Sequence, residues 1–162
     1  MKRTLFLVVG AIFLMFICAS GTLAQSASSR HGIGPYMGFA SDPDQFVIGG
    51  QGVFGPYASP VHISPSLDIG FGDNWDVATL NLDITYDFFP RNYNTVFFAG
   101  AGPTMAFYSS DRFDDQSEAG LSLIGGVKFA GERGNSFNLA ARIGVGDIPD
   151  IKFTAGYLFA MR

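Results

Sequence analysis

Cysteine is almost absent from this chain of 162 residues. Cys18 is the only one, so no intrachain disulfide can hold the fold, which must rest on hydrogen-bonded ladders and packing. Met15-Phe16-Ile17 ahead of it lacks the small residue that precedes a lipidated cysteine. Lysine is nearly as scarce, with only Lys128 and Lys152 beyond Lys2. Soluble exported domains rarely keep so few, because surface and edge positions favour lysine. An excess of positive charge is missing too. Ten cations face fourteen carboxylates, the wrong balance for a nucleic-acid partner. Beyond the N-terminal stretch no segment keeps a helical period over three turns. No linker or low-complexity tract divides the chain.

What is present begins with a leader. Lys2 and Arg3 precede an unbroken apolar run from Leu5 to Ala19, and small residues end at Thr22-Leu23-Ala24. That order of charge, apolar core and small residues predicts a secretory signal over 1–24, cut before Gln25. The apolar run is short for a membrane span. Residues 25–31 then form a polar lead-in, and 32–162 a single domain, since 138 residues leave no room for a second. Without Lys2 and Arg3 the net charge falls to about −6.

The domain reads as eight strands, over 32–40, 45–55, 61–72, 75–89, 95–108, 118–130, 136–146 and 150–161. Each alternates, and successive strand side chains point to opposite faces. In the last strand Ile151, Phe153, Ala155, Tyr157, Phe159 and Met161 share one face. Lys152, Thr154, Gly156, Leu158 and Ala160 share the other. Across the domain the second face is mostly Gly, Ser, Thr and Asn with a few charges, a poor water-facing surface but a good filling for a narrow lumen. The greasy face therefore points outward, into lipid. Lengths of nine to fifteen residues suit tilted membrane-spanning strands, which need about 9–11.

Outward aromatics gather at strand ends. With the N-terminus periplasmic, Phe39, Phe46, Phe71 and Phe107 lie at the outer rim. Phe54, Tyr86, Phe88, Phe97, Phe129, Phe137 and Phe159 lie at the inner one. Two aromatic belts flanking an aliphatic band are what two membrane interfaces select. On these features the chain resembles the small eight-stranded outer-membrane β-barrel proteins of Gram-negative bacteria, the group of OmpA- and OmpX-like barrels. Its end also resembles that group's C-terminal assembly signal, with Thr154, Gly156, Phe159 and Met161 at the pattern's positions. It departs in carrying Met161 for an aromatic, followed by Arg162. The resemblance implies an all-β, eight-stranded, up-and-down antiparallel transmembrane barrel in the outer membrane. Its implied partners are outer-membrane lipids and the β-barrel assembly machinery, with no cofactor.

Candidate chemistry is sparse. Six charges fall on lumen positions: Asp68 and Lys152 near the outer end, Asp83 and Arg142 in the middle, Asp87 and Lys128 near the inner end. Unpartnered buried charges are costly, so opposite charges at equal depth are expected to pair. Gly50-Gln51-Gly52-Val53-Phe54-Gly55 has dinucleotide-fingerprint spacing, but Pro56 and Pro60 follow in place of a helix. Glycines that let a barrel wall curve account for it better. Asp111, Asp114, Asp115 and Glu118 could offer oxygen ligands to a divalent cation, yet their spacing is not an EF-hand, and a solvated acidic loop explains them. His62 and Ser64, two apart on one face, faintly resemble lipid A deacylases of this architecture. His62 is expected instead to partner Asp87, and His31 sits in the lead-in. The function expected is a non-enzymatic structural or surface-interaction scaffold with no catalytic, cofactor or metal residues. The alternatives are a lipid-modifying barrel enzyme and a secreted lipocalin-like binder with the faces inverted.

Overall fold

The computed structural model describes residues 29–42, 44–56, 59–72, 76–88, 95–109, 116–131 and 134–161. The leader and most of the lead-in lie outside the described residues, as do Asp111, Asp114, Asp115 and Arg162. Eight strands follow one another: β1 (Ser29–Ser41), β2 (Gln45–Pro56), β3 (Val61–Phe71), β4 (Asp76–Phe88), β5 (Thr95–Ser109), β6 (Gln116–Ala130), β7 (Ser136–Val145) and β8 (Ile151–Met161). Each pairs antiparallel with the next, and β8 closes on β1. The end at which β1, β3, β5 and β7 finish is called outer, the other inner.

One boundary differs from the sequence reading. Ser29, Arg30 and His31 belong to β1, paired with Pro56, Gly55 and Phe54. The His31 ring sits 5.6 Å from that of Phe54, so ladder and ring contacts extend the strand into what composition alone marks as lead-in.

The alternation resolves as expected for an inside-out protein. Among the described residues, twenty-five large hydrophobic side chains are exposed around the wall, Phe39, Ile84, Leu121 and Phe159 among them. Of the described residues that are buried, thirteen are polar or charged, against nine hydrophobic ones. A lipocalin-like binder needs the opposite arrangement, with its apolar face inside.

Closure depends on where glycine stands beside bulk. Tyr36, pointing inward, has Gly49 on β2 and Gly156 on β8 as its cross-strand partners. A Cβ at Gly49 would come within 2.7 Å of the Tyr36 ring, and one at Gly156 within 2.9 Å of its Cβ. The tyrosine therefore fits between its flanking strands only because both neighbours lack side chains. Proline marks the ladder's gaps. Pairing skips beside Pro35 between β1 and β8, beside Pro65 between β2 and β3, and beside Pro103 between β4 and β5. Proline has no N–H to give, and each gap falls where that donor is missing.

The β7–β8 connection folds into the outer mouth. Ile148 is only 4% exposed and packs with Val77, Ala106 and Tyr108. It lies over Gly120 and Gly144, whose added Cβ atoms would crowd it at 3.1 and 2.8 Å. Gly146, at φ +108°, makes the turn that folds it inward.

Candidate functional site

Among the described residues, side-chain hydrogen bonds and ion pairs concentrate in the lumen, and the strands arrange them in three storeys. At the outer storey Lys152 on β8 donates to both oxygens of Asp68 on β3, at 2.7 and 2.9 Å, and to Thr79 Oγ1 at 2.9 Å. The Tyr36 hydroxyl donates to the same carboxylate at 2.5 Å. In the middle, Arg142 on β7 grips Asp83 on β4 with two parallel bonds of 2.9 and 2.6 Å and also donates to Ser122 Oγ. A forked guanidinium suits this planar pairing better than an ammonium does. Ser122 connects onward to Thr104, which reaches Asn81 at 2.8 Å, and Asn81 donates to Ser66 at 3.1 Å. At the inner storey Lys128 on β6 donates to Asp87 on β4 at 2.6 Å and lies 4.8 Å over the Phe98 ring.

The structure thus brings together Asp68 with Lys152, Asp83 with Arg142, and Asp87 with Lys128. Each carboxylate is at most 3% exposed, where an unmatched charge would be expensive. Gln51 and Asn138 exchange reciprocal amide bonds of 3.1 and 2.9 Å across the lumen. A cavity of about 40 Å³ lies beside Arg142, Lys128 and Asn138, room for a few waters.

His62 is 1% exposed, with Nδ1 3.7 Å from Asp87, and Gly55 leaves the space its ring occupies. Ser64 lies 3.1 Å from Thr85 Oγ1, on the lumen side. The glycine-rich segment 50–55 lies wholly within β2, with no helix after it to receive a phosphate. Glu118 lines an outer recess of about 500 Å³ with Asp42, Tyr108, Asp147 and Asp150. Among the described residues no group of three or more His, Cys, Asp or Glu is arranged to hold a metal ion. On the terminal strand Gly156 faces inward beneath Tyr36, while Thr154 stands opposite Ala140. Phe159 is half exposed on the outer face, its ring 4.9 Å from that of Tyr157; Met161 pairs with His31.

Three features escape a reading by charge alone. These are the Tyr36 hydroxyl on Asp68, the Gln51–Asn138 exchange and the Ile148 cap. The last left a faint signal: Ile148 is an apolar residue in an otherwise polar turn, Gly146-Asp147-Ile148-Pro149-Asp150.

No protein-family model and no curated protein sequence matches the chain. Solved structures do. The N-terminal β-barrel domain of Pseudomonas aeruginosa OprF superposes with a TM-score of 0.69 at 15% identity, over 85% of this chain and 100% of that one. Neisserial surface protein A gives 0.63 at 14% identity, over 82% and 97%. Ail, the attachment invasion locus protein of Yersinia pestis, gives 0.54 at 16% identity, over 82% and 95%. At such identities the likeness is one of fold. The chain has the fold of the small eight-stranded outer-membrane barrels.

Proposed function

We propose that this chain is a non-enzymatic integral protein of the Gram-negative outer membrane, exported by a cleaved leader over 1–24. Its barrel is a rigid scaffold that presents short outer connections for envelope integrity or surface interaction. The observation that carries the reading is the inverted polarity: an exposed band of Phe, Leu, Ile and Met around a lumen of paired charges. A water-soluble barrel would have to hydrate that band, whereas a bilayer covers it and competes for no ladder hydrogen bond. The paired lumen charges support a structural role, since each cation is engaged by a carboxylate and little free volume remains. His62 and Ser64 face this lumen, whereas a nucleophile acting on membrane lipid must be reachable from the bilayer.

The test of the scaffold reading is electrical. Reconstituted in planar bilayers, the protein should show no stable, large conductance, because eight strands enclose only enough space for side chains. Long-lived, ion-selective openings at the nanosiemens scale would contradict it.

Assembly gives a second expectation. With Thr154, Gly156, Phe159 and Met161 as the assembly signal, Phe159→Asp should lower the amount of membrane-inserted protein in cells. The direct cost of a charge near an interface is small, about 0–1 kcal/mol, so a large loss would reflect recognition by the assembly machinery. Normal insertion of this variant, measured by immunoblot of washed outer membranes, would remove the proposed role of Phe159.

A further inference from the structure

The lumen's charges are sorted by wall as well as by depth. The carboxylates Asp68, Asp83 and Asp87 stand on β3 and β4. The cations Lys128, Arg142 and Lys152 stand together on β6, β7 and β8. Arg142 and Lys152 are direct partners across the β7–β8 ladder. Like charges directly opposite one another on a sheet repel, and burial strengthens the repulsion. Asp83 and Asp68 offset it from the far wall. The lumen cavity of about 40 Å³ lies in front of the cationic wall. Lys128, Arg142 and Lys152 all line it, whereas Asp68 and Asp87 do not. Ala140 and Thr154, partners in the ladder, form its floor on that side. They stand one row from Arg142 and Lys152 towards the outer end, and one row from Asn138 and Gly156 towards the inner. The short side chain of Ala140 leaves the space.

Hydrogen-bonding capacity around the cavity is unequal too. The bonds of Arg142 to Asp83 and Ser122 leave its Nε–H and one N–H of Nη2 over. Gln51 and Asn138 each give one amide N–H to the other and keep a second. Asp83, the carboxylate that lines the cavity, already accepts from Arg142 through both oxygens. The cavity therefore offers spare donors beside an excess of positive charge. Water seeks acceptors as well as donors, whereas a small anion needs donors alone. We propose that the cavity binds one monatomic anion of the size of chloride, between the Arg142 guanidinium and the Gln51 and Asn138 amides. Its charge offsets the repulsion between Arg142 and Lys152, so binding stabilises the folded barrel. The small volume favours such an ion over a sulfate or phosphate. Binding requires the closed barrel alone, whatever covers the outer wall.

The probes are chloride and bromide themselves. Urea unfolding of the barrel in detergent is compared in sodium chloride and in sodium gluconate of equal ionic strength, gluconate being too large for the cavity. Chloride should raise the unfolding midpoint of wild type, and the gain should grow with concentration as for one bound ligand. Crystals grown in sodium bromide should show one anomalous peak in the lumen, over Ala140 and Thr154. Ala140→Leu fills the cavity without removing a charge or a hydrogen bond. It should lose both the chloride gain and the bromide peak, while its unboiled gel mobility shows that the barrel still closes. Equal wild-type midpoints in the two salts, or a chloride gain that Ala140→Leu keeps, would overturn the proposal. So would a cavity without an anomalous scatterer in bromide, which would assign it to water. If Ala140→Leu does not close, the wild-type midpoints and the bromide peak decide.

Discussion

Arg142→Met is expected to destabilise the barrel by about 3–5 kcal/mol, the cost of leaving a buried charge without its partner. Asp83 is 1% exposed, and Arg142 supplies two of its hydrogen bonds. Without the guanidinium, Ser122 at 3.4 Å is a poor substitute. The effect should be specific to the orphaned carboxylate. Combining Arg142→Met with Asp83→Leu removes both charges and should recover most of the loss, since replacing a whole buried pair by apolar groups is often neutral. Equilibrium unfolding of the three proteins in one detergent, followed by far-ultraviolet dichroism in urea, measures this. Equal losses in the single and double variants would mean that the pair contributes through shape alone.

A second large effect is expected at the seam where the barrel closes. Gly34 on β1 approaches β8 so nearly that an added Cβ would run into the carbonyl oxygen of Tyr157. That obstacle is backbone, which cannot rotate away as a side chain can. Gly34→Ala should therefore cost at least the about 1–3 kcal/mol typical of overpacking, and should lower the yield of closed barrel on refolding. Gly125→Ala is the matched comparison. Its Cβ would meet nothing nearer than the Phe98 carbonyl at 3.8 Å, so a change within about 0.5 kcal/mol is expected. Similar folded fractions for both variants on a semi-native gel would contradict the account of the seam.

Much of this architecture was legible in the residues, for a physical reason. A strand's period of two is strict, so Ile151 to Met161 alone assigns both faces of β8, and the same pattern recurs seven more times. Once strand directions are set, depth follows, which is why Asp83 could be matched with Arg142 and Asp68 with Lys152 before any coordinates. His62 beside Asp87 follows from the same depth argument. The contributions of shape were not legible. That Tyr36 lies between Gly49 and Gly156 depends on the relative shift of three strands, and register is a property of pairing rather than of one segment. The inward fold of Ile148 depends on room left by nearby Gly144 and by Gly120, which is far from it along the chain. The start of β1 at Ser29 was missed because polar residues carry no alternation signal, although ladder bonds hold them.

The central claim is that the Phe, Leu and Ile band faces lipid and the strands close on themselves within it. It is tested most directly by the gel mobility, in dodecyl sulfate, of protein taken from urea-washed membranes, with and without boiling. A closed barrel with every internal ladder bond shielded from water should stay folded until heated. The account predicts retention in the washed membranes and a clear shift in mobility on boiling. Release by urea with identical mobility before and after boiling would contradict it.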